Sequence, residues 1–86
     1  MIKKEDYERI KRNIIKKLYS SKAFRKGHLL IETLKRGIPS HLIGYVEHVL
    51  KDLLKKELVI IYGKTRYGCA YQLNIKKLKE IEEIIG

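Results

Sequence analysis

The sequence predicts a small, mostly helical α+β domain in which one β-hairpin is set among helices. Three observations lead there. Apolar residues recur at helical spacing over residues 4–20, 39–57 and 75–85. Residues 58–73, LVIIYGKTRYGCAYQL, switch to a β-branched and aromatic run broken by a Gly-bounded turn. The length of 86 residues, 44% of them apolar, leaves room for one domain, and a single cysteine, Cys69, leaves packing to hold it.

The elements follow in order. In KEDYERIKRNIIKKLYS, residues 4–20, Tyr7, Ile10, Ile14 and Leu18 fall on one face, with acids in the first turn and lysines in the last, as the helix dipole prefers. Residues 21–27, SKAFRKG, read as a basic connector anchored by Phe24. Leu30, Ile31 and Leu34 mark a short second helix over 28–36, which Gly37 ends as a left-handed residue. Pro39 suits the first turn of a third helix over 39–57. On its wheel Leu42, Val46, Val49, Leu50 and Leu53 share one arc, the face to be buried, and His41, Gly44, Tyr45, His48, Asp52 and Lys55 lie opposite. Residues 58–73 make the hairpin, with Gly63 and Gly68 free to take the positive φ that tight turns need. In its second strand Cys69, Tyr71 and Leu73 point inward and alternate with Ala70 and Gln72. Tyr7, Tyr62 and Tyr71 read as core or core edge. Asn74 can cap a last helix over 75–85, whose apolar stripe is Ile75, Leu78, Ile81 and Ile85.

Twenty cations oppose ten anions, giving a net charge of +10 that asks for a polyanionic partner. The excess is concentrated: +4 in residues 1–21, +4 in 22–38 and +2 in 58–73, while 39–57 and 74–86 are balanced. The longest apolar run, LVIIY, is far too short to cross a bilayer, and the charged start MIKKEDYERIKRN has no signal-peptide core, so a cytoplasmic protein is expected. Abundant lysine, isoleucine and glutamate with a lone glutamine, Gln72, fit a thermophile. No phosphate loop, carboxylate pair or nucleophile with its base is present, so no enzyme is expected. His41, His48 and Cys69 lack the paired short spacings of a zinc site, and neither metal nor cofactor is expected.

Helix, short helix, tight Gly-Ile-Pro turn, longer helix, hairpin and helix is also the element order of the winged helix-turn-helix architecture. LKRGIPSHLIGYVEHVLKDLLKKELVI resembles that family's helix-turn-helix region, where a Gly-Ile/Val turn leads into a recognition helix closed by a leucine rhythm, here Leu50, Leu53, Leu58 and Val59. AYQLN, residues 70–74, is similar to the close of the second wing strand. The resemblance covers about residues 7–74 and implies a double-stranded DNA-binding transcription regulator of small archaeal or viral type.

Charged flanks around a neutral insert suit DNA, because phosphate contacts position a protein while base contacts specify sequence. Lys22, Arg25 and Lys26, with Lys35 and Arg36, are the expected phosphate grips. His41, Tyr45 and His48, with Ser40 and Gly44 beside them, are the expected readers of the major groove. Gly44 has two readings: close approach of DNA, or close packing on the second helix. By resemblance the hairpin is a wing, which puts Lys64 on a phosphate, Arg66 in a minor groove and Tyr67 beside them. The last helix could pack on the first or on a symmetry mate, and a homodimer through it is the expectation. The alternative reading is a winged-helix module that binds RNA or a protein partner within a larger assembly.

Overall fold

The computed structural model describes residues 2–24 and 27–86. Helices α1 (Lys4–Ser20), α2 (Ile31–Lys35), α3 (Val46–Lys55) and α4 (Leu78–Ile85) combine with strands β1 (Leu29–Leu30), β2 (Val59–Thr65) and β3 (Gly68–Leu73). Single 3-10 turns, Ile43–Tyr45 and Ile75–Lys77, lead into α3 and α4. The radius of gyration, 11.9 Å, is what a single packed domain of this length should have, about 12 Å.

α1 has the predicted bounds, with Glu5 and Asp6 in its first turn and Lys17 in its last. Its inner face buries Ile10, Ile14, Ile15 and Leu18 against α3, α4 and β3. Tyr7, at the edge of that face, donates its hydroxyl to Asp52 Oδ2 of α3 at 2.9 Å. Burial first, and this bond second, push the Tyr7 phenol from 10.0 up to about 12. A folded-state pKa raised above the unfolded one contributes stability that is whole below pH 10 and lost as pH climbs toward 12. Tyr7→Phe should therefore cost about 1 kcal/mol at neutral pH. Above pH 10 its melting temperature should fall less steeply than that of the parent. Tyr19 and Tyr71, also raised, remain in both proteins, so parallel alkaline melting curves would exclude the Tyr7 contribution.

The expected second helix over 28–36 is shorter in the structure. Leu29 and Leu30 form β1, paired antiparallel with Tyr71 and Ala70, and only Ile31–Lys35 is helical. The strand hydrogen-bonds the edge of β3 that the hairpin leaves open, which the sequence HLLIE, with no decisive period, permits. Gly37 does take a left-handed conformation, at φ +78°. The third helix starts late as well. Pro39 accepts a hydrogen bond from the Leu42 amide at 2.8 Å in a turn, the 3-10 turn follows, and α-helix begins only at Val46. Serine, histidine and glycine in PSHLIG are weak helix formers. The buried arc is nonetheless as predicted: Leu42, Val46, Val49, Leu50 and Leu53 are all in the core.

α1 and α3 end in the same way. Lys22 and Glu57 are the non-glycine residues with positive φ among those described, at 55° and 61°. After α1, the amides of Lys22 and Ala23 donate to Tyr19 O and Leu18 O; after α3, those of Glu57 and Leu58 donate to Leu54 O and Leu53 O. This is the Schellman arrangement, in which the residue after the left-handed one buries an apolar side chain, here Ala23 and Leu58. The carbonyls of Ala23 and Leu58 in turn accept from the amides of Leu73 and Asn74, at 2.6 and 3.0 Å. Two helix ends are thereby stapled to the end of β3.

The sheet is antiparallel in the order β1-β3-β2. β2 runs against β3 from Val59↔Leu73 to Ile61↔Tyr71, then resumes at Gly63↔Ala70 and ends at Thr65↔Gly68, so Tyr62 is the extra residue of a bulge. The tip is shorter than GKTRYG suggests. Only Arg66 and Tyr67 are unpaired, the Thr65 hydroxyl donates to Gly68 O and accepts from the Tyr67 amide, and Gly68 takes φ +116°. Gly63 does not have positive φ; its place is beside the bulge.

Two expectations about side chains fail here together. Ala70 and Gln72 are buried like Tyr71 and Leu73, and Tyr62, expected at the core, is 52% exposed. Tyr62 stacks on the ring of His28, centroids 4.4 Å apart and planes 10° from parallel. His28 directly precedes β1 and Tyr62 lies in β2, so the two rings come from opposite flanks of β3. Gln72 also donates its amide to Gly27 O at 3.1 Å.

Asn74 caps the last helical segment by accepting from the Lys76 amide, and it donates to Glu57 O at 2.8 Å. α4 packs on α1. Ile81 is fully buried there, Tyr19 donates to Glu82 Oε2 at 2.9 Å, and Arg12 caps Ile85 O at 3.0 Å. Part of the stripe is thus taken up by α1. Ile75 stays 44% exposed.

Candidate nucleic-acid interface

The late start of α3 decides how its outer residues are displayed. Ser40, His41 and Gly44 lie in the turn and 3-10 segment, His48 lies in the first turn of α3, and all four are exposed. Tyr45, expected on the polar face beside them, is half-buried and packs against the core cluster. A groove of about 510 Å³ runs along this side, lined by Gly44, Glu47, His48 and Lys51 from the helix and by Ile31 and Tyr71 from α2 and β3. Burial, with Cys69 and Glu47 behind it, pushes the Tyr71 phenol up. Lys51 was not singled out by the sequence. Its spacing from Gly44 and His48, seven and three residues, is the signal that could have found it.

A Cβ built on Gly44 meets no heavy atom within 4 Å, so close packing on α2 is excluded as the reason for glycine there. Gly44→Ala is accordingly expected to gain about 0.4–1 kcal/mol in thermal or urea unfolding, by restricting the unfolded chain. The same variant should bind duplex more weakly, and undiminished binding would remove Gly44 from the interface.

The flanking cations do not act as one set. Lys35 approaches Glu47 Oε1 at 3.8 Å, an exposed pair worth little, which holds it next to the groove. Arg36, its neighbour, faces α1 and lines a different cleft with Asn13, Lys16 and Lys17. Lys22 is exposed, but its backbone is the left-handed closure of α1. Arg25 and Lys26 lie outside the described residues. Lys64, Arg66 and Tyr67 are all exposed at the hairpin tip, Tyr67 at 72%.

α1 carries basic residues that the sequence reading left without a role. Its ridge opposite the core presents Arg9, Arg12 and Lys16, with Asn13 and the acids Glu5 and Glu8 around them. Lys17 turns toward α2, where its amine donates to Leu34 O at 3.0 Å and to Arg36 O, satisfying carbonyls that a helix end leaves without partners. Burial pulls its pKa down.

Among the described residues there is no group of three or more histidine, cysteine or acidic side chains that could hold a metal, and no helix long and apolar enough to cross a membrane. No protein-family model, curated protein or solved structure matches the chain.

Proposed function

We propose that the chain is a double-stranded DNA-binding regulator of winged helix-turn-helix type, in which α3 and the turn before it enter the major groove and the β2–β3 hairpin acts as the wing. The observation that supports this best is the exposed, nearly uncharged display of Ser40, His41, Gly44 and His48 on a chain of net charge +10. Neutral donors and acceptors suit base edges, while Lys35, Lys51, Lys64 and Arg66 suit the phosphates on either side. The proposal includes a homodimer through α4, using Ile75 and the half-buried Leu78 and Ile85.

Anisotropy titrations of a labelled duplex at several salt concentrations test the reading. Affinity should fall steeply with salt, and a site selected from a random duplex pool should outcompete bulk DNA. A salt-insensitive or absent interaction would overturn it. One observation favours a second reading, a module that binds a protein partner or RNA. Ile60, Ile61 and Tyr62, on the free edge strand β2, are 39, 54 and 52% exposed, and an open apolar edge is a ready pairing surface. Preference for structured RNA over duplex, or a heteromeric partner retained through purification, would select it.

A further inference from the structure

The cleft between α1 and α2 has a different chemistry from the groove beside α3. It is an open cleft of about 390 Å³, within the size range of small-molecule sites, lined by Asn13, Lys16, Lys17, Ser20, Ser21, Leu29, Thr33 and Arg36. The charged residues among these are three cations, and no acid is present. Three hydroxyls and one amide complete the polar part. The walls are otherwise apolar, made by Leu29 and the alkyl stems of the long side chains. Asn13 Oδ1 is buried without a hydrogen-bond partner, an acceptor short of a donor.

We propose that this cleft binds a small organic anion: a carboxylate held between Lys16 and Arg36, an apolar body against Leu29, and a hydroxyl that donates to Asn13 once its amide turns. Charge complementarity selects the anion, since a neutral or cationic ligand would leave the cations without a counter-ion. The mostly apolar walls favour a ligand with a body over a bare inorganic ion. The site is also placed to be felt elsewhere. Lys17 lies in the cleft wall and holds the Leu34 and Arg36 carbonyls directly before Gly37, where the chain turns toward α3. An anion that draws the Lys17 amine loosens that clasp. The consequence for duplex binding rests on the function proposed above; binding of the ligand does not.

The test uses the full chain without DNA. 3-Phenyllactate, which carries a carboxylate, a hydroxyl and a phenyl ring, is titrated in while amide chemical shifts are followed. Saturable shifts are expected at Asn13, Ser20, Ser21, Thr33 and Arg36. A Lys16→Ala, Arg36→Ala variant with unchanged circular dichroism should bind at least about tenfold more weakly, having lost two charge-assisted contacts. Absence of saturable shifts overturns the proposal. So does equal binding of the neutral 3-phenylpropane-1,2-diol, equal binding of inorganic phosphate, or undiminished affinity in the double variant. If the ligand binds but no duplex does, the cleft stands and the regulatory reading falls.

Discussion

Ile81→Glu is expected to unfold the domain. Ile81 is fully buried in the apolar core cluster where α4 packs on α1, so a carboxylate placed there would be desolvated. Removing the side chain alone, as in Ile81→Ala, should cost about 2–5 kcal/mol. Burying an unpaired charge costs more, against a total stability of roughly 4–13 kcal/mol for a domain of this length. The melting transition of the glutamate variant should be lost at 25 °C or nearly so, and a cooperative transition at the parental temperature would mean that α4 is not docked on α1. Ile75→Glu separates this from self-association. Ile75 is 44% exposed, so the variant should keep its fold, and only then does its sedimentation report on the dimer. A folded Ile75→Glu protein that sediments as the parent does would end the proposal of a dimer through this end of the chain.

Replacing both tip cations, Lys64→Ala with Arg66→Ala, should have the largest effect on duplex binding. Each phosphate neutralised contributes about 0.9 to the slope of log K against log salt, so two lost contacts reduce the slope by about 1.8 and weaken binding about 60-fold at 0.1 M salt. A base-edge variant such as His41→Ala should cost about 1–3 kcal/mol on the selected site alone. The two can therefore be told apart by their effect on random duplex. Arg66→Ala should also relax any A·T preference beside the core site. Neither change threatens the fold, because both side chains are exposed and the tip is closed by Thr65 and Gly68. An unchanged salt slope would mean that the tip is solvated when DNA is bound, leaving the electrostatics to cations elsewhere.

What the sequence made legible follows from how local its cause is. α1 could be read to the residue because seventeen positions carry one stripe and both dipole-matched ends. The inward face of α3 could be read because five apolar side chains share an arc whether the first turn is α, 3-10 or irregular. β1 could not, because two leucines carry no period and become a strand only when β3 offers an edge. The stack of His28 on Tyr62, thirty-four residues apart in sequence, and the Gln72 bond to Gly27 O, forty-five apart, were likewise beyond local pattern. The left-handed Lys22 and Glu57 gave no sign because glycine, the usual marker of that conformation, is absent at both. In the candidate interface, residue types were legible and facing was not. Lys35 and Arg36 are adjacent in sequence, yet one turns to Glu47 and the other to α1.

The stapling of Ala23 and Leu58 to Leu73 and Asn74 also sets when the molecule can form during synthesis. The bond from Leu73 to Ala23 spans more than half the chain, and the two helix ends wait for two adjacent amides, the end of α1 for Leu73 and the end of α3 for Asn74. A nascent chain that has exposed α1, α2 and α3 but not residues 68–74 still lacks β3, the strand against which β1, β2 and α1 all rest. Loop-closure entropy is then spent before the contacts that offset it exist. The domain should therefore fold only once residues 68–74 are free to pair, and chains truncated before residue 68 should remain open to protease.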